Sequence, residues 1–126
     1  MNNLIIETLI KTALKSNMKH KHGCVILYKK KIISKGFNYY KISNLLYNNY
    51  TVQQYENNKY SVHAEQNAIN KIRNKLLLCK CTIYIIRLKN LNEITIDNNN
   101  IELGIPCEAC NNLINKYKIS IKSIRY

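Results

Sequence analysis

Residues 79–88 read Cys79-Lys80-Cys81-Thr82-Ile83-Tyr84-Ile85-Ile86-Arg87-Leu88, and Thr82 to Ile86 are nearly all apolar or β-branched. A strand with one wet face alternates apolar with polar residues. This run does not alternate, which predicts a central strand buried on both faces. Its neighbours must then supply the cover. Val62 to Lys75 sets Ala64, Ala68, Ile69 and Ile72 on one face of a helix, with Ser61 near its cap. Pro106 suits a first helical position and opens another helix reaching about Tyr117. Ile119 to Tyr126 closes as a strand. Strands joined through helices predict a sheet that is parallel in part.

Further from that strand, His22 to Phe37 reads as a β-hairpin. Val25–Tyr28 and Ile32–Ser34 form its strands, Lys29-Lys30-Lys31 a solvated turn, and Gly36 ends the second strand. Residues 2–18 read as an amphipathic helix, because Ile5, Ile6, Leu9, Ile10, Ala13, Leu14 and Met18 recur at three-to-four-residue spacing. Asn2 or Asn3 can cap it. Residues 38–60 hold six of the ten tyrosines, with many Asn and no period, and read as a long loop with room for a short helix. Residues 89–104 are Asn-rich and read as loop. The order α-β-β-α-β-α-β predicts an α/β fold, a sheet covered by helices.

The chain has 126 residues, enough for one core and one domain over 1–126. With 46% hydrophobic and 21% charged residues it belongs with globular rather than disordered chains. No apolar run approaches the ~18 residues of a membrane span. The N-terminus lacks the pattern of a secretory signal, and the cysteine count is odd, at five. Both predict a reducing compartment, the cytoplasm. The formal net charge is +13. Lys, Asn and Ile, all with A/T-rich codons, fill 57 of the positions, so codon bias explains much of the charge. The positive surface nonetheless attracts anionic substrates, whether mononucleotide or polymer.

Two segments carry chemistry: His63-Ala64-Glu65 and Pro106-Cys107-Glu108-Ala109-Cys110. Each falls at a predicted helix start. Cys107 and Cys110 lie three apart, so one helix face presents both sulfurs to one point. With His63 they make three ligands for Zn²⁺ and leave a fourth tetrahedral position open, the catalytic rather than the structural pattern. Helix N-termini favour thiolate. Glu65, two residues from a ligand, is placed to shuttle a proton. A lone H-x-E is common, and a lone C-x-x-C also fits half a zinc ribbon or a redox pair. A ribbon needs a second pair, and Cys79-x-Cys81 lacks the spacing; a redox pair leaves His63-Ala64-Glu65 unused. Cys24, Cys79 and Cys81 read as core. His20, His22 and Cys24 alternate along one strand face, and the two histidines read as solvated beside Lys19 and Lys21 rather than as a second metal site.

These segments resemble the cytidine and deoxycytidylate deaminase superfamily. His63-Ala64-Glu65-Gln66-Asn67-Ala68-Ile69 is similar to the helix segment of the deoxycytidylate type, and Pro106-Cys107-x-x-Cys110 to the second zinc segment. His22-Gly23-Cys24-Val25-Ile26 followed by Gly36-Phe37-Asn38 resembles the family hairpin, in the family's order over nearly the whole chain. The resemblance implies a three-layer α-β-α cytidine-deaminase-like fold with a mixed sheet of about four strands, short at its C-terminal side. It implies that His63, Cys107 and Cys110 hold Zn²⁺ and that Glu65 protonates the ring nitrogen and the departing amine. It also implies that Asn38 touches the sugar and that the backbone N–H groups of Ala64 and Cys107 bind the base's oxygen. Free-cytidine deaminases place a Glu soon after that Asn. Here Tyr39, Tyr40 and Lys41 follow, which implies a phosphorylated or polymeric substrate.

The resulting expectation is a hydrolytic deaminase of a cytosine nucleotide, of CMP or dCMP type, working as a homo-oligomer without membrane association. A loop tyrosine stacking on a base would suit the same role. Two rivals share the sequence features. One deaminates a base within RNA or DNA, including tRNA adenosine. The other is a zinc-containing nucleic-acid-binding relative without turnover.

Overall fold

The computed structural model describes residues 3–41, 60–88, 101–103 and 106–122. Helix α1 spans Asn3–Ala13, and the hairpin strands β1 and β2 span Lys21–Tyr28 and Lys31–Phe37. The short strands β3 (Tyr39–Lys41) and β4 (Tyr60–Val62) pair with each other. Helix α2 covers Ala64–Asn70 and is followed by a 3₁₀ helix, Lys75–Lys80. Then come β5 (Thr82–Leu88), β6 (Ile101–Leu103), helix α3 (Glu108–Lys116) and β7 (Ser120–Lys122). No helix among the described residues is long and apolar enough to cross a membrane.

Strand β5 is central, as its composition requires. β1 runs antiparallel along one edge of β5. Its other edge is shared: β6 pairs antiparallel with Ile86–Leu88, and β7 pairs parallel with Thr82–Tyr84. The main sheet is therefore mixed, with four strand positions in the order β2-β1-β5-β6 and β7 beside β6 on the last. Side chains leave β1 and β5 with period two. Val25, Leu27, Ile86 and Leu88 face α1, where Ile5, Leu9 and Ala13, spaced by four, close that core. Cys24, Ile26, Ile83 and Ile85 face the other way, against Ala64, Ala68 and Ile69 of α2 and Ile114 of α3. That is the expected three-layer α-β-α fold.

Several boundaries differ from the sequence reading. Helix α1 ends at Ala13 rather than Met18; Leu14 is exposed, and the Ser16 hydroxyl accepts the Met18 N–H at 3.1 Å in the turn that follows. The hairpin turn is only Lys29-Lys30, both with positive φ (49° and 66°), the handedness that matches strand twist. Lys31 already pairs with Tyr28, and β2 continues past Gly36 to Phe37. Helix α2 starts after His63, not at Val62, and stops at Asn70; Ser61 belongs to β4. The Leu76-Leu77-Leu78 run forms 3₁₀ turns capped by Asn74 instead of prolonging helix or strand. Two segments read as loop contain strand: Tyr39–Lys41 with Tyr60–Val62, and Ile101–Leu103. The short helix allowed within 38–60, the tyrosines at 47, 50 and 55, and the end of the last strand lie outside the described residues.

One end of the sheet gathers the polar groups. There β1 begins, β2 and β5 end, and α2 and α3 start. Helix α2 is strapped to β2 by three contacts. The Ser34 hydroxyl donates to the Ala68 carbonyl (2.7 Å), the Phe37 N–H to Asn67 Oδ1 (3.1 Å), and Lys71 Nζ to the Lys35 carbonyl (2.8 Å). Gly36 makes the approach possible. A Cβ there would collide with the Ala64 carbonyl and stand 2.6 Å from the Ala68 nitrogen.

Candidate metal centre and its cleft

The two chemical segments occupy equivalent positions, each at the start of a helix on the same face of the sheet. His63 is the residue before α2, with extended backbone, and its carbonyl accepts the Asn67 N–H at 2.9 Å. Cys107 stands in the same relation to α3, its carbonyl accepting the Asn111 N–H at 2.8 Å. The first turn of each helix leaves backbone N–H groups without intrahelical partners, so positive potential converges between them. Cys110, one turn on, is buried, whereas Cys107 is exposed.

One donor atom each from His63, Cys107 and Cys110 lies within 4.8 Å of the others. His63 Nδ1 and Cys107 Sγ are 3.5 Å apart. A tetrahedral zinc ion with Zn–N of about 2.0–2.1 Å and Zn–S of about 2.3 Å separates nitrogen from sulfur donors by roughly 3.6 Å and sulfur from sulfur by roughly 3.8 Å. The donor set fits such an ion in both spacing and chemistry. Among the described residues it is the only group of three or more such ligands drawn together.

Glu65 is the carboxylate of this site. It sits in the first turn of α2 and is only 4% exposed. Burial first, then the Glu65 charge and a hydrogen bond to Glu65, push the Cys110 thiol well above the ordinary thiol range. Burial chiefly, with smaller contributions from Glu65 and Cys110, does the same to Cys24, which lies beneath them in β1. As a thiol Cys110 is thus held neutral, and a dication is what would stabilise its thiolate. Cys24 and Cys81 are core residues, while Cys79 is exposed rather than core.

A cleft of about 300 Å³ opens above this floor, lined by Met18, His20, His22, Asn38, Ser61, Val62, His63, Ala64, Glu65 and Cys107. All the site residues singled out in the sequence therefore meet here, with Cys110 just behind. Asn38 is 7% exposed and its amide is fixed on both sides: Oδ1 accepts the His22 N–H at 2.8 Å, and Nδ2 donates to the His20 carbonyl at 2.6 Å.

The sequence reading missed His20 and His22 as cleft residues. Their alternation with Cys24 was the signal. Cys24 faces the α2 side, so His20 and His22 follow it onto that face, at the end of β1 where the helices begin. Burial lowers the His22 pKa below the usual imidazole range, with Glu65 pulling the other way. Arg87, across from His22 in the β1–β5 register, sends Nη2 to within 3.0 Å of His20 Nδ1.

Comparison with curated proteins finds no match. Among solved structures, the apo dCMP deaminase of cyanophage S-TIM5 is similar in fold, with a TM-score of 0.53 at 20% identity, over 98% of this chain and 86% of that one. The sequence model described as the cytidine and deoxycytidylate deaminase zinc-binding region matches residues 2–124, and the chain belongs to that family.

Proposed function

We propose that this protein is a zinc-dependent hydrolytic deaminase acting on a cytosine nucleotide of CMP or dCMP type. One observation carries the reading: a His/Cys/Cys donor set beside a buried carboxylate, at the floor of a cleft that also holds a fixed Asn. His63, Cys107 and Cys110 would hold the zinc. Bound there, zinc supplies Lewis acidity and makes water a competent nucleophile near neutral pH.

Glu65 moves the protons. Its carboxylate takes one proton from the attacking water and gives it to the ring nitrogen beside the amine-bearing carbon. As the carbon–oxygen bond forms, that carbon becomes tetrahedral. Glu65 then carries the remaining hydroxyl proton to the amine, the carbon–nitrogen bond breaks, and ammonia and the uracil nucleotide leave. Burial keeps bulk water from short-circuiting the transfer. The N–H groups of Ala64 and Cys107 would hold the base's oxygen. Asn38 spends one N–H and one lone pair on the backbone, and an amide has another of each to offer a sugar hydroxyl.

A second reading, deamination of a base within RNA or DNA, is favoured by the net charge of +13. It predicts binding that weakens steeply with salt, whereas a monophosphate substrate gives a shallow dependence. Ammonia release from dCMP, CMP, cytidine, single-stranded DNA and tRNA separates the two. Turnover of a cytosine monophosphate supports the proposal; turnover of polymer alone, or of nothing, removes it. We also propose a single domain over 1–126, a cytoplasmic location and a homo-oligomer. The last is supported by β2, which among the described residues pairs only with β1 and so offers a strand edge.

A further inference from the structure

The geometry points to the His20–Arg87 pair as the phosphate-recognising end of the cleft, the feature that selects a nucleoside 5′-monophosphate over the nucleoside. The inference rests on the deaminase reading above and adds the residues that set substrate class. A guanidinium only donates. The 3.0 Å contact with Arg87 Nη2 therefore makes His20 Nδ1 the acceptor and puts the ring proton on Nε2. Between them the two side chains carry a forked cation and an imidazole N–H of fixed tautomer, all donors, which is the chemistry a phosphate dianion needs.

Position agrees with chemistry. His20 lines the cleft, and its backbone carbonyl holds Asn38 Nδ2, so the residue read as the sugar contact adjoins the residue read as the phosphate contact. Arg87 stands opposite His22, another lining residue, and shares its side of the sheet. The cleft that holds Glu65, His63 and Cys107 also holds Asn38 and His20, and Arg87 reaches it through His20. Among the described lining residues Glu65 is the only acidic one, and on the β6 side Glu102 stands across from Arg87 in the strand register.

The products dUMP and deoxyuridine are stable, so their binding reads the subsite without turnover. Calorimetry on the zinc-loaded full chain is paired with kcat/KM for dCMP and deoxycytidine. We expect dUMP to bind more tightly than deoxyuridine. In Arg87→Gln the gap should shrink by about 10- to 100-fold, the range that charged hydrogen bonds support. His20→Asn should shrink it less. Arg87→Lys, which keeps charge but loses the fork, should recover part of the gap. The loss should fall on KM for dCMP and be much larger than any change for deoxycytidine. Equal losses for nucleotide and nucleoside, or a gap that Arg87→Gln leaves intact, overturn the assignment. A gap of the expected kind without turnover on any mononucleotide would instead remove the proposed function and leave the phosphate subsite standing.

Discussion

The two faces of the sheet use the same packing device to different ends. On one face Gly23 lets α1 lie against β1; a Cβ there would stand 2.6 Å from the Leu9 carbonyl and 3.0 Å from the Ala13 side chain. On the other, Gly36 lets the first turn of α2 lie against β2. The α1 face packs Ile5, Leu9, Ala13, Val25, Leu27, Ile86 and Leu88, with Tyr84 against them, and none of the site's metal-ligating or acidic side chains. The α2 face packs an equally dry core, but its helix starts lie at the sheet end where His63, Glu65, Cys107 and Cys110 meet. Function here is a matter of which helix end a core delivers, and to where. The α1 face sets stability alone, whereas the α2 face sets stability and geometry together.

That contrast can be broken in several places. The largest effect should come from Cys107→Ala or Cys110→Ala. Each should abolish stoichiometric zinc and turnover, measured by elemental analysis and ammonia release. Glu65→Ala should keep the zinc and lower kcat by about 10²- to 10⁴-fold, the usual share of a positioned proton carrier. An unaltered rate would remove Glu65 from the mechanism. On the quiet face, Leu9→Ala should cost about 2–5 kcal/mol in chemical denaturation. Its kcat per folded molecule and its zinc content should match wild type.

The two glycines separate the faces further. Gly23→Ala and Gly36→Ala should each destabilise by about 1–3 kcal/mol through overpacking. Only Gly36→Ala should also depress kcat and zinc affinity, because it pushes on the turn that carries His63 and Glu65. Parallel behaviour of the two variants would erase the distinction between the faces.

The smallest effect concerns pH. Burial holds the His22 pKa below its unfolded value near 6.5. As pH falls through that value the unfolded chain takes up more protons, so the stability contributed by neutral His22 is lost on acidification. Melting temperature should therefore fall less steeply below pH 6.5 in His22→Gln than in wild type.

Much of this arrangement is legible from residues alone, and the illegible parts have physical reasons. The unbroken apolar run at Thr82–Ile86 marks a strand covered on both faces, and it is. H-x-E and P-C-x-x-C mark the site because metal ligands obey fixed spacings, and the fold brings them together. The strands Tyr39–Lys41, Tyr60–Val62 and Ile101–Leu103 escape because three residues carry no period, and their strand character comes from a partner distant in sequence. Helix ends escape too: Leu14 continues the apolar pattern but points into solvent once the helix stops at Ala13. His20 and His22 look like surface histidines among lysines until the register shows which end of β1 meets the helices. Arg87 is the one charged residue of β5, and only the pairing of β5 with β1 places it beside His20 and His22.

Zinc K-edge X-ray absorption on the purified full chain, with metal content measured on the same sample, tests the metal centre itself. We predict one zinc per chain, two sulfur neighbours at about 2.3 Å and the remaining nitrogen or oxygen neighbours at about 2.0–2.1 Å. An absent metal, or a shell of four sulfurs, would contradict it.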